Sequence, residues 1–127
     1  MSVPSYKRLT VALGILSLGL LLVSGGLFWN YGWLKVRVAF ASDQMEIFDD
    51  MRTKALQSEP VEAAGFLEYA VWYYPSGTKQ ETGSRLDRLV ENRRSEVVRD
   101  ILAHLRAKTA EDLGSVPEPW ILKYAKK

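Results

Sequence analysis

Hydrophobic positions run unbroken over residues 9–34, LTVALGILSLGLLLVSGGLFWNYGWL, and only afterwards fall into periodic spacing. Those 26 residues carry no charge. As a helix they extend about 39 Å, against roughly 30 Å of bilayer hydrocarbon, so one tilted crossing fits. A soluble helix apolar on every face needs protein wrapped around it, and the rest of the chain is too short and too polar to provide that. The run therefore predicts a transmembrane helix, with the bilayer as its partner. Tyr6, Lys7 and Arg8 precede it, Trp29, Tyr31 and Trp33 close it, and Lys35 and Arg37 follow. Aromatic rings favour the headgroup layer and basic side chains snorkel toward water, so these eight are the expected membrane-interface anchors.

A cleaved signal peptide is the competing reading. Lys7-Arg8 would be its basic region, with cleavage after Gly25 in Val23-Ser24-Gly25. Ala39-Phe40-Ala41 has the cleavage form too, but lies beyond Lys35 and Arg37. Leu27-Phe28-Trp29 extends the apolar run past Gly25 and favours a retained signal-anchor. Basic residues beside a very short N-terminus place that terminus in the cytoplasm and the tail outside the plasma (inner) membrane. Small residues at Thr10, Gly14, Ser17 and Ser24, and at Ala12, Gly19 and Gly26, allow weak self-association of the membrane helix.

The tail reads as helices. Lys35-Val36-Arg37-Val38 alternates, but no partner strand follows, so residues 35–41 are a helical juxtamembrane segment. Ser42 can cap a helix to Gln57 with Ile47, Phe48, Met51, Ala55 and Leu56 on one stripe. Ser58-Glu59-Pro60 restarts the chain, with Ser58 as a cap and proline tolerated in the first turn. The helix that follows runs to Tyr74. Ala64, Leu67, Val71 and Tyr74 line one face and Phe66, Ala70 and Tyr73 broaden it, which makes it the central helix. Residues 74–78 form a turn around Pro75 and Gly77. Ser84 and Asp87 are spaced like a capping box at the head of the longest helix, whose stripe is Leu86, Leu89, Val90, Val97, Ile101 and Leu105. Residues 109–114 form a short turn ended by Gly114. Pro117 and Pro119 lead into a last helix with Trp120, Ile121 and Tyr124, and Lys126-Lys127 frays. The fold class is all-α: a flank over 1–8, a transmembrane helix over 9–34, a juxtamembrane segment over 35–41 and a small domain of about four helices over 42–127.

Composition narrows the chemistry. The 127 residues include no Cys and one His, which excludes disulfides, thiolate metal sites, Cys nucleophiles, a lipidated Cys and His-pair metal motifs. No cofactor or metal is expected. Asp49 and Asp50 are helix neighbours about 100° apart and make no shared acid–base site. His104 and Asp100 have the spacing of a carboxylate-oriented base, but no nucleophile stands beside them. Pro75-Ser76-Gly77-Thr78-Lys79 lacks the phosphate-loop pattern. These absences favour a protein that is not an enzyme.

Charge is split along the tail. Residues 43–68 hold seven acidic and two basic residues, and residues 79–108 hold five acidic and eight basic. From Lys35 onward the signs balance at 15 each, so no strong field for nucleic acid exists. The two stretches can satisfy each other or face different partners. Exposed ion pairs contribute only about 0–1 kcal/mol each, a weak reason to hold many arginines on one helix. A protein partner with an anionic surface is therefore expected to contact Arg85, Arg88, Arg93 and Arg99. Most aromatics of the tail belong in its core, and Trp120 and Tyr124 are further candidate partner contacts.

Two stretches carry resemblances. Phe66-Leu67-Glu68-Tyr69, then Tyr74-Pro75-Ser76-Gly77 and a second amphipathic helix, are similar to the helix–turn–helix of tetratricopeptide-like units, without the W-x-x-L-G-x-x-Y signature. Leu105-Arg106-x-Lys108-Thr109-x-x-Asp112-Leu113-Gly114-x-x-Pro117-x-x-Trp120 resembles a segment of HEAT-like repeats, with Ala110 where a glycine is usual. The whole chain resembles small bacterial single-pass membrane proteins with a helical tail, a group that brings no activity with it. These likenesses imply a membrane-anchored interaction scaffold or accessory subunit. An exported soluble helical protein is the alternative.

Overall fold

A computed structural model describes residues 4–125. Met1 to Val3 of the expected flank, and Lys126-Lys127 where fraying is expected, lie outside the described residues. The architecture is all-α, with four helices and no strand among the described residues: α1 (Pro4–Leu56), α2 (Pro60–Trp72), α3 (Arg85–Thr109) and α4 (Pro117–Tyr124). The chain divides into two units between Val36 and Arg37.

The first unit is helix throughout its described residues, with its large hydrophobic side chains facing outward. Exposure is 51% or more at every large hydrophobic residue from Tyr6 to Leu34. The helix is long and apolar enough to cross a membrane, and none of its most apolar window is buried. Thr10 returns its hydroxyl proton to the Tyr6 carbonyl at 2.9 Å, so the helix also absorbs that polar group. Trp29 and Trp33 stack edge to face at 6.2 Å, and the Lys35 ammonium lies 4.9 Å from the Tyr31 ring centre.

Sequence predicts separate helices before and after Ser42, and α3 as the longest. Instead Ser42 lies inside α1, which at 53 residues is the longest helix; α3 has 25. No glycine or proline stands between Gly32 and Pro60 to interrupt it, and a chain already helical has no unpaired N–H for Ser42 to cap. Ser58 is not the cap of α2 either. Glu59 occupies that position with no side-chain cap bond, and the Ser58 hydroxyl turns back to the Lys54 carbonyl at 2.7 Å.

The second unit packs the end of α1 with α2, α3 and α4. The α1 stripe is Ala41, Gln44, Phe48, Met51 and Ala55, spaced alternately three and four. The α3 stripe begins the same way, at Asp87, Val90, Arg94, Val97 and Ile101. Such spacing keeps a seam along one face of each helix. Alanines 63, 64 and 70 bring the α2 backbone close, with Leu67 filling the gap. Trp120 of α4 is fully buried and closes the core. Leu56 and Leu89, expected on the stripes, are 39% and 47% exposed.

Polar side chains fix the connections. Ser84 accepts the Asp87 N–H at 3.1 Å, and the Asp87 carboxylate accepts from Ser76 Oγ at 2.7 Å and Gly83 N at 2.9 Å. The Ser76 hydroxyl, then the Gly83 N–H, hold this carboxyl below its ordinary value. The turn at Gly77 needs its glycine: φ is +85°, and an added Cβ would collide with the Thr82 side chain. α2 stops two residues short of Tyr74, whose φ is +41°. Arg94 seals that end, donating to the carbonyls of Ala70 at 2.6 Å and Tyr74 at 2.7 Å. Residues 110–114 form no helical turn. Gly114 N bonds Asp112 Oδ1 at 2.9 Å, and the Gly114 carbonyl accepts from Arg106 at 2.7 Å and Trp120 Nε1 at 3.0 Å.

Candidate docking groove

α2 is apolar on two sides, and only one is covered. Ala63, Leu67 and Ala70 face the core, while Glu62, Gly65, Tyr69 and Trp72, at spacings of three, four and three, share the opposite face. Tyr69 is 55% exposed and Trp72 67%. α2 is the central helix, packed against both α3 and α4, yet it leaves this side toward solvent.

Beside that face runs an open groove of about 760 Å³ between α1 and α2. Ile47 and Met51 line it from α1, and Phe66 and Tyr69 from α2, with Gly65 between them. Asp50, Lys54 and Glu62 stand among these walls. The α1 residues 47, 50, 51 and 54 have the i, i+3, i+4, i+7 spacing of one helix face. Asp43 is one turn earlier on it, close enough to Tyr73 to help raise that phenol, after burial and the neighbouring tyrosines. Gly65 has ordinary helical geometry, and a Cβ there would meet nothing within 4 Å. Glycine inside a helix costs about 0.5–1 kcal/mol relative to alanine, and no contact within this domain explains it.

The charges sort differently from the sequence expectation. Arg93 is tied to Asp49 and, at 2.7 Å, to Glu96, which keep its guanidinium protonated above the ordinary range. Glu96 thus pairs with Arg93 and not with Arg99. Arg88 donates to the Gly83 carbonyl at 2.6 Å, and Arg94 is buried. Arg52 meets Asp100 at 2.7 Å and Lys108 meets Glu59 at 3.5 Å. Of the four arginines expected to face a partner, Arg85 and Arg99 are exposed without an ion pair among the described residues, and Arg93 is engaged internally. Among the acids of residues 43–68, Asp43, Glu46, Glu62 and Glu68 are exposed and form no ion pair among the described residues.

Other candidates resolve one by one. Trp120 is core, which corrects its reading as an exposed contact. Tyr124 is half-buried, its hydroxyl on Glu111. Lys123 first, and Tyr124 next, lower the Glu111 carboxyl. Asp49 and Asp50 diverge, to Arg93 and Lys54. His104 Nε2 lies 3.0 Å from the Ser58 carbonyl while Asp100 serves Arg52, so the two do not pair. No group of three or more His, Asp or Glu among the described residues could hold a metal. A second hollow, of about 460 Å³, has Val71, Val98 and Leu102 as its floor and Arg94, Arg99 and Arg106 at its edge. The expected anchors Tyr6, Lys7, Arg8, Trp29, Tyr31, Trp33 and Lys35 are all exposed on the first unit. Arg37 belongs instead to the second unit, 3.6 Å from Glu81, and its backbone carbonyl accepts from Gln80 at 2.8 Å.

Trp72 was missed as a site residue. The available signal was the second α2 stripe at 62, 65, 69 and 72, opposite the first. Comparison of the chain with protein-family models, curated proteins and solved structures finds no match in any of the three.

Proposed function

We propose that this protein is a membrane-anchored, non-enzymatic helical module that docks another protein, as a scaffold or accessory subunit of a membrane-associated complex. The observation that carries this reading is the uncovered face of α2: Tyr69 and Trp72 are more than half exposed beside an open groove. Soluble surfaces seldom leave clustered aromatics open unless something covers them, and Tyr and Trp supply much of the energy where proteins meet. The anchor is supported by residues 9–34, which are charge-free, helical and exposed on every side. In a bilayer this helix satisfies its own backbone and sets apolar side chains against lipid. Lys7 and Arg8 hold the N-terminus in the cytoplasm and leave the domain outside the inner membrane.

Two measurements test the reading. Full-length protein of intact mass should stay in membranes washed with alkaline carbonate; a soluble chain beginning near Gly26 would establish the exported alternative. In those membranes, a photoreactive residue replacing Phe66 or Trp72 should yield a discrete protein adduct that the same residue at exposed Ala103 does not. Adducts from neither Phe66 nor Trp72 would end the docking proposal.

A further inference from the structure

We infer that the groove between α1 and α2 receives one basic amphipathic helix of a partner protein, crossing α2 at Gly65. This rests on the docking reading and deepens it by naming the occupant. Three observations select a helix. The groove lies between two helices whose lining residues repeat at three and four, and a third helix with anchors at i, i+3, i+4 and i+7 packs into such a valley. Its lining on α1 runs from Ile47 to Lys54, about 10 Å or two helical turns, which suits two or three apolar anchors. Gly65 leaves room for a close crossing, since nothing in the domain fills the space over its Cα.

The charge follows from which groups are left over. Asp50 and Lys54 neutralise each other at 2.6 Å. Glu62 in the groove and Asp43 on the same α1 face have no ion-pair partner among the described residues. Lysines or arginines flanking the apolar stripe of the incoming helix would meet this rim. An acidic helix would meet like charge on both walls. The occupant is thus opposite in sign to the one the arginine-rich sequence of α3 suggests.

The test uses the full chain in phosphatidylcholine nanodiscs, with empty nanodiscs as baseline. The probe is a fluorescein-labelled 14-residue helical peptide with leucine at its anchor positions and lysine on its flanks; its comparator carries glutamate for lysine. Anisotropy should show the lysine peptide binding at least tenfold more tightly than the glutamate peptide, with an affinity that falls as salt rises. Gly65→Leu should fill the crossing point and weaken the lysine peptide at least tenfold without lowering the melting temperature. Glu62→Lys, an exposed change needing no repacking, should weaken it several-fold. Equal binding of both peptides, or full binding by Glu62→Lys, overturns the charge assignment. If neither peptide binds and Gly65→Leu instead abolishes pairing of two copies of the chain, the occupant is a second copy and the proposal is wrong. If neither binds while the Phe66 photoadduct persists, the basic helix is refuted and the docking reading survives; loss of both refutes both.

Discussion

Replacing Arg94 with methionine should destabilise the helical domain by about 3 kcal/mol, far more than the same change at Arg99. Arg94 is 8% exposed and its guanidinium ties four places together. It donates to the Ala70 carbonyl at 2.6 Å, Val71 at 3.3 Å and Tyr74 at 2.7 Å, and meets Glu91 at 3.2 Å. It also lies 4.8 Å from the Phe48 ring centre. The last carbonyls of a helix lack partners within it, and here one arginine replaces the usual cap. Methionine keeps the stem packing but donates nothing. The buried Ala70 carbonyl then goes unpaired at a cost of about 1–3 kcal/mol. Loss of a cation at the end of α2 adds roughly 0.3–1 kcal/mol, and loss of the contact over Phe48 a similar amount. Tyr74 and Glu91 are open enough for water to take over. For a domain of this size each kcal/mol moves the melting temperature by roughly 4–8 °C, so a fall of about 12–24 °C is expected. Thermal denaturation of the full chain in detergent, followed by circular dichroism, measures it, with the apolar N-terminal helical segment contributing a constant background. Arg99→Met is the control, because that side chain is exposed and unpaired among the described residues. If both variants melt within about 3 °C of each other, the capping argument is wrong, since surface changes fall within about 0.5 kcal/mol.

Trp120→Ala should cost about 3–5 kcal/mol in the same assay, because it empties a fully buried site and frees the Gly114 carbonyl of one donor; a loss below about 1 kcal/mol would remove α4 from the core. Ala110→Gly should stabilise by up to about 1 kcal/mol, since Ala110 ends α3 in the left-handed region at φ 56°, where an L side chain is strained; an unchanged or lower melting temperature would contradict that. Asp87→Asn should melt lower at neutral pH. Because the native Asp87 carboxyl titrates below its ordinary value, its stabilisation is complete above the carboxylate range and is lost as pH falls through the depressed value. The gap between the two proteins should therefore close as pH falls below the ordinary carboxylate range, and a gap independent of pH would show that the charge of Asp87 is irrelevant.

The helical class and the start of α3 were legible because their signals are local. The Ser84 and Asp87 pair opens α3 at the expected residue, and Pro60 and Pro117 each stand in a first helical turn. The continuity of α1 was obscured because Ser42, followed by Asp43 and Glu46, has the composition of a helix start. Such a signal acts only where the chain arrives unwound, and here it arrives helical. Asp87 and Arg94 are charged yet buried, and their positions match the spacing of Val90, Val97 and Ile101. Periodicity was the better guide than polarity: each buried charge meets the main chain, Asp87 at the N–H of Gly83, Arg94 at the carbonyls that end α2.

The charge split was legible as composition and misleading as a guide to a surface. Counting signs along a chain treats each charge as free, whereas a partner meets only what the fold leaves over. Packing α3 against α1 consumes Arg93 on Asp49 and Arg52 on Asp100, and the cap of α2 consumes Arg94. Each consumption is decided by contacts between residues 20 to 48 positions apart, which no local window contains. The arginine-rich helix thereby becomes the structural one. What stays open is Glu62 beside Ile47, Gly65, Phe66 and Tyr69, with Asp43 one turn earlier on the same α1 face. A surface of that kind rewards an incoming helix with apolar burial along its middle and opposite charge at its edges, and α1 carries it on the same continuous helix that supplies the apolar segment.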